Sequence, residues 1–178
     1  MKKIQAIPED VAKGLRHIGL KVRIYPLAKI VRPEMVSIGD CSMIDDFVFI
    51  NGGAGTKIGK YVHVASFVSV IGGGVLEVGD YSVLACGARI LTGTDTPHGG
   101  KRMTTALPEN KRSIKRGYVR MGRDVFIGTN SVVHPNVTIG DGAVIGSCSL
   151  VTHDVEPWSI NYGAPCKRVG TREFVEEE

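Results

Sequence analysis

The sequence is poor in the features that would mark several common classes. Its four cysteines, Cys41, Cys86, Cys148 and Cys166, stand far apart and form no CxxC pair. That spacing excludes a zinc ribbon and argues against a disulfide framework, so the cysteines read as reduced, small, buried residues of a cytoplasmic protein. Aromatic residues make up only 6%, none interleaved with a basic run, and the net charge is a mild +4. No nucleic-acid tract is expected, whereas a small anionic ligand suits this balance. No apolar run approaches the roughly 20 residues needed to cross a bilayer. The basic start MKKIQAIPEDV is broken by Pro8, Glu9 and Asp10, against a signal-peptide core. A cytoplasmic protein that does not enter a membrane is therefore expected. With 178 residues and 22% charged side chains, the chain has room for one soluble domain and a modest appendage.

What the sequence does have is a period of six. Met121 to Glu156 reads MGRDVF-IGTNSV-VHPNVT-IGDGAV-IGSCSL-VTHDVE, six hexapeptides opening on Ile, Val or Met, with Gly second in four of them. Neither a helix nor an alternating strand repeats every sixth residue. Three short flat strands per turn do, with the apolar residue pointing into the bore of a parallel β-helix and a polar or Gly corner between strands.

The departures from this period carry information. One turn should take 18 residues, and Met121 to Ile139 and Ile127 to Ile145 keep that spacing. Ile38 to Ile58 and Ile58 to Val78 are each 20 apart, and Val78 to Met121 is 43. The two extra residues fall at Asn51-Gly52-Gly53 and at Ile71-Gly72-Gly73-Gly74, and the long excursion leaves after Gly93. These three breaks should stack on one edge, where a widened wall and a lid serve a binding cleft. The excursion, residues 94–118, carries Lys101, Arg102, Lys111, Arg112, Lys115 and Arg116 against Asp95 and Glu109. A basic arm of this length suits phosphate-bearing molecules or a neighbouring chain.

Upstream, Val11, Leu15 and Ile18 at helical spacing predict a short amphipathic helix over residues 8–18, capping the open end of the solenoid. Downstream, Pro157 ends the repeats, Gly163-Ala164-Pro165 turns the chain to present Lys167 and Arg168, and TREFVEEE reads as a fraying acidic tail. The organisation expected is residues 1–29 as cap helix and lead-in, 30–170 as the β-helix with its loop 94–118, and 171–178 as the tail.

The repeats, the protruding loop and the ending GAPCKRV resemble the hexapeptide-repeat acyltransferases over about residues 30–170. These include the galactoside and maltose O-acetyltransferases and the sugar acetyltransferases of surface-polysaccharide pathways. VHVASFVSVIGGGVLEVGD followed by LTGTD is similar to the polysaccharide branch in particular. The resemblance implies an all-β, left-handed parallel β-helix, a homotrimer with sites between subunits, and an acyl-CoA donor, usually acetyl-CoA, with no metal. Periodicity by itself gives neither the handedness nor the trimer.

Acyl transfer to a hydroxyl needs a base, an oxyanion donor and a grip on CoA, and histidine suits the first role. His17 lies outside the repeats, and His134 and His153 sit in regular coil or corner, leaving His63 and His98. In galactoside-type relatives the base follows the strand leading into the loop, where this sequence has Thr94-Asp95. We expect His63 of VHVAS as the base, with Asp95 of a neighbouring subunit as its orienter or as an acceptor-sugar ligand, and His98 as the second candidate base. A sugar amine needs less help with its proton, so a reaction without a histidine base stays open. The resemblance further implies that the pantetheine arm lies along the small-residue corners, at the amides of Gly128, Ala143, Ser147 and Cys148. Lys167 and Arg168, after Ala164-Pro165, match its phosphate contacts.

The function expected is acyl transfer, O-acetylation of a sugar or nucleotide-linked sugar ahead of N-acetylation of an amino-sugar. Two other readings compete with it. A β-helical carbonic anhydrase shares three zinc-binding histidines, and here the third ligand is missing near Met103. A non-catalytic β-helix scaffold would leave the widened corner and basic arm without a use.

Overall fold

The computed structural model describes residues 14–175. Three sheets of six, eight and six strands, parallel except for the last strand of the second, wind as a left-handed β-helix. Strand pairing reproduces the six-residue period as three apolar ladders. On the first face Ile18, Ile38, Ile58, Val78, Met121 and Ile139 stack turn upon turn. The second ladder is Ile24, Ile44, Val64, Leu84, Ile127 and Ile145. The third is Ile30, Ile50, Val70, Ile90, Val133 and Val151. All but Ile18 and Ile30 are buried, and each such side chain contributes roughly 1.5–3 kcal/mol. β-Branched Ile and Val dominate because they pack well on a pleated surface.

Two expectations about the ends need correction. His17–Ile18 forms a strand paired with Ser37–Ile38 instead of closing a helix, and Arg23–Ile24 forms another. The β-helix therefore begins two strands before residue 30, which lies in the third strand of the first turn; residues 8–13 of the expected helix lie outside the described residues. The first residues of the tail lie against the last turns. Arg172 donates from its guanidinium to the Asp124 carbonyl at 2.6 Å, and the Phe174 ring packs 4.6 Å from Trp158.

The corners are not uniformly polar or glycine. Between the first and second faces Cys41, Tyr61 and Tyr81 adopt left-handed backbone at φ 59°, 55° and 61°, and Phe47 and Phe67 do so between the second and third faces at φ 64° and 65°. Left-handed geometry disfavours such side chains, and stacking on the next turn offsets it. Phe47–Phe67 and Tyr61–Tyr81 stack with centroids 5.2 Å apart. The third corner is the widened one. The Ala54 amide donates to the Gly74 carbonyl at 3.0 Å, and the Gly117 amide to the Thr92 carbonyl at 2.8 Å, so the three breaks do stack.

Candidate active site

From that third corner the loop leaves as a hairpin. Gly93–Asp95 pairs antiparallel with Ile114–Arg116. Past its end the chain folds back, and Arg112 Nη2 donates to Asp95 Oδ2 at 2.5 Å, with each side chain only 11% exposed. A second, exposed pair joins Arg116 to Glu109 through two contacts. The guanidinium holds the Glu109 carboxyl below its usual range, and Glu109 in turn raises Arg116. His98 is exposed on the 3-10 turn Pro97–Gly99.

His63 lies on the second face, outward of the bore, in register with Met43 and Val83. Its Nε2 meets Asp45 Oδ2 at 3.0 Å. Within one chain, then, the carboxylate against His63 is Asp45, while Asp95 is held by Arg112 on an arm leaving a different edge. The sequence alone does not mark Asp45 as the partner of His63. The signal was present two residues after Met43, the strand partner of His63, but reading it needs the turn-to-turn register.

The residues expected to hold CoA divide. Ala143 is fully buried and its amide donates to the Gly140 carbonyl at 3.2 Å, so it presents nothing outward. The Gly128 and Cys148 amides are likewise used, bonding Ile145 and Thr129 carbonyls at 2.8 Å each. Ser147 and the Cys148 side chain are exposed. Past the Ala164–Pro165 peptide, which is cis, Lys167–Thr171 pairs antiparallel with Ser159–Tyr162. Arg168 is tied to Glu156 at 2.5 Å and to Thr171 Oγ1 at 3.1 Å, whereas Lys167 is exposed. Both border a cleft of about 430 Å³ with His153, Glu156, Asn161 and Cys166. It opens four strands along the second sheet from His63. Burial raises the Cys166 thiol above its ordinary value, keeping it protonated. Among the described residues no three His, Cys, Asp or Glu side chains gather into a metal-binding group.

Comparison with known proteins agrees with this architecture. Residues 118–153 match the family model for bacterial transferase hexapeptide (six repeats). The chain is 33% identical over 160 residues, 89% of its length and 83% of the relative's, to dTDP-4-amino-4,6-dideoxy-D-glucose acyltransferase of Escherichia coli. It is 25% identical to galactoside O-acetyltransferase of E. coli strain K12, over 78% of this chain and 64% of that protein. Among solved structures, AntD, an N-acyltransferase from Bacillus cereus in complex with dTDP and 3-hydroxybutyryl-CoA, superposes with a TM-score of 0.88 at 29% identity, covering 94% of this chain and 90% of AntD. With the ladders, the third-corner hairpin and a relative matched over nearly its whole length, the chain belongs to the hexapeptide-repeat acyltransferase family.

Proposed function

We propose that this protein transfers an acyl group from acyl-CoA to the amine of a dTDP-linked amino-sugar in surface-polysaccharide biosynthesis. The observation that carries this reading is the near full-length match to the E. coli dTDP-amino-sugar acyltransferase. The structural likeness to AntD, solved with dTDP and an acyl-CoA, supports it. The sugar amine attacks the thioester carbonyl, the tetrahedral intermediate collapses to the amide, and the thiolate of CoA leaves. The proton lost by the amine passes to a base and on to the thiolate.

In this reading His63 is the base, with His98 the second candidate, and Asp95 holds the acceptor. His63 sits on the second face and Asp95 on an arm from the third corner. A homotrimer with its sites between subunits would bring one chain's arm to its neighbour's His63. Acyl-CoA would lie along Gly128, Ser147 and Cys148 toward Ala164, Pro165, Lys167 and Arg168, and acetyl-CoA is the simplest donor. The cytoplasm, which supplies both acyl-CoA and nucleotide-sugars, is the proposed setting. Ala143 is left out of the donor site because it faces the bore.

A second reading, O-acetylation of a sugar hydroxyl, is favoured by the His63–Asp45 pair, since a hydroxyl depends on a base more than an amine does. Thiol release from acetyl-CoA with dTDP-4-amino-4,6-dideoxyglucose and with dTDP-glucose separates the two. Release with the amino-sugar alone supports N-acylation; release with dTDP-glucose alone overturns it.

A further inference from the structure

We propose that Arg89 is a binding residue of the acceptor site. It is supplied by the copy next to the one that carries His63, and it takes the diphosphate of the nucleotide-sugar. This deepens the reading of a site shared between subunits and rests on it. The outward rows of the three faces differ. On the first face the row is polar, with Ser37, Lys57, Glu77 and Arg120 in successive turns. On the second it is Met43, His63, Val83, Phe126 and Val144. On the third it is Phe49, Ser69, Arg89, Val132 and Leu150. The corner joining the second and third faces carries Leu27, Phe47 and Phe67, each more than half exposed. An apolar edge between two largely apolar faces is a contact surface, and a second copy of this chain matches it turn for turn.

A ring of copies about that edge runs the rods side by side, so each turn of one faces the same turn of the next. The second face of one copy then confronts the third face of its neighbour. Met43 stands level with Phe49, Phe126 with Val132 and Val144 with Leu150, apolar against apolar. Polar side chains enter at two adjacent levels between them, His63 opposite Ser69 and Val83 opposite Arg89. Triangular rods sharing one edge leave a wedge-shaped cleft between the two walls, so this polar window is open to a ligand. Charge is complementary there: one wall brings the Asp45 carboxylate beside His63, and the other brings Lys29 and Arg89 with no acid in its outward row. Arg89 is exposed, and its Nη1 donates to the Gly87 carbonyl at 2.8 Å. That neutral partner leaves its positive charge uncompensated and anchors its head at the corner. The aromatic rib ends at that point, because Gly87, at φ 71°, stands where the two preceding turns have Phe47 and Phe67. The arm leaves the same wall, since Gly93–Asp95 comes just after Arg89–Leu91, so one neighbour delivers both. A guanidinium fork grips a diphosphate bidentately. Lys167, assigned to the CoA phosphates, lies four strand spacings of about 4.8 Å each beyond the turn of Arg89. His63 is one level away, so the diphosphate at Arg89 is the acceptor's, a sugar ring's length from the base.

The test mixes two variants of the full chain, with acetyl-CoA and dTDP-4-amino-4,6-dideoxyglucose as substrates. Arg89→Ala should raise KM for the amino-sugar by roughly 10–100-fold, with KM for acetyl-CoA within about twofold of wild type. Calorimetry with dTDP alone should show the same loss of affinity. Arg89→Lys, which keeps the charge without the fork, should recover part of it. Thermal melting checks folding, and Arg89→Lys keeps the question answerable if Arg89→Ala does not fold. Arg89→Ala and His63→Ala, co-expressed in equal amounts and assayed at low amino-sugar concentration, should regain about a quarter of wild-type activity. A quarter of the junctions then pair an intact His63 with an intact Arg89 of the next copy. If one chain supplied both residues, no junction would be intact, so no recovery overturns the neighbour's role, as does a monomer by light scattering. A rise in KM for acetyl-CoA in place of the amino-sugar gives Arg89 to the donor's diphosphate and overturns the acceptor assignment. Unchanged KM and dTDP affinity overturn its binding role while leaving the function intact. Wild-type rates in His63→Ala overturn the His63 site and the proposal with it. No thiol release by wild type with this acceptor overturns the substrate reading itself, and the proposal falls there.

Discussion

His63 Nε2 lies 3.0 Å from Oδ2 of Asp45, a residue 18 positions earlier in the chain. The parallel winding makes this pair: Met43 is the strand partner of His63, and Asp45 follows it at the corner. A carboxylate accepting from Nε2–H selects that tautomer and leaves Nδ1 as the ring's lone-pair nitrogen, the form a proton acceptor needs. His63→Ala should lower kcat by about 10²–10⁴-fold. Asp45→Ala should lower it less, by about tenfold, and add nothing in the His63→Ala background. Steady-state kinetics on the three variants checks this, and wild-type rates in His63→Ala would move the base to His98.

The last turn predicts an asymmetry between two adjacent cations. Arg168 is held by Glu156 and Thr171, while Lys167 has no charged partner among the described residues. Lys167→Ala should raise KM for acetyl-CoA several-fold with kcat unchanged, the pattern of lost uniform binding. Arg168→Ala should cost stability as well. Acetyl-CoA titrations of initial rate on both variants distinguish them.

Stability should fall in acid. Asp40 accepts the Leu20 amide at 2.8 Å and lies 3.5 Å from the Lys60 ammonium, and these hold its carboxyl below the usual range. A depressed folded-state pKa means the folded protein binds the proton less readily than the unfolded chain. The stabilisation is therefore present above the unfolded value, near 4, and is lost as pH falls through the folded one. Glu109, lowered by Arg116, has the same sign. Thermal midpoints measured from about pH 6 to about pH 3 should decline, and Asp40→Asn should flatten that decline.

The widened corner should be intolerant of a single methyl. A Cβ at Gly74 would sit 2.2 Å from the carbonyl oxygens of both Thr92 and Gly117, which are backbone atoms of the adjoining turn. Gly74→Ala should destabilise by about 1–3 kcal/mol or more and displace the hairpin that starts at Gly93. Ile145→Ala, in the bore, should cost about 2–5 kcal/mol while leaving the hairpin in place. Denaturant unfolding gives the first quantity for each, and proteolysis within the arm reports the second.

Cysteine reactivity should map the donor path. Cys86 and Cys148 are exposed and Cys166 is buried with its thiol pKa raised. Maleimide should label the first two and spare Cys166. If the pantetheine arm passes the corner at Ser147, acetyl-CoA should slow labelling of Cys148. Mass spectrometry of the labelled peptides, with and without acetyl-CoA, reads both outcomes.

The sequence by itself determined the β-helix and its broken edge. An apolar residue every sixth place forces three inward ladders, and two surplus residues per turn at Gly52 and Gly72 had to widen one corner. Only the tertiary structure decided which polar residues meet. His17 and Ile18 fit a helical spacing locally, and their pairing with Ser37 and Ile38 makes them a strand, because a two-residue strand has no period of its own. Phe47 and Tyr61 occupy left-handed corners that local preference reserves for glycine, since Phe67 and Tyr81 on the next turn stack against them. Asp45 reaches His63, and Arg112 reaches Asp95, across 18 and 17 residues of chain. Such contacts follow from the register of whole turns and the fold-back of the arm, and no local pattern encodes either distance.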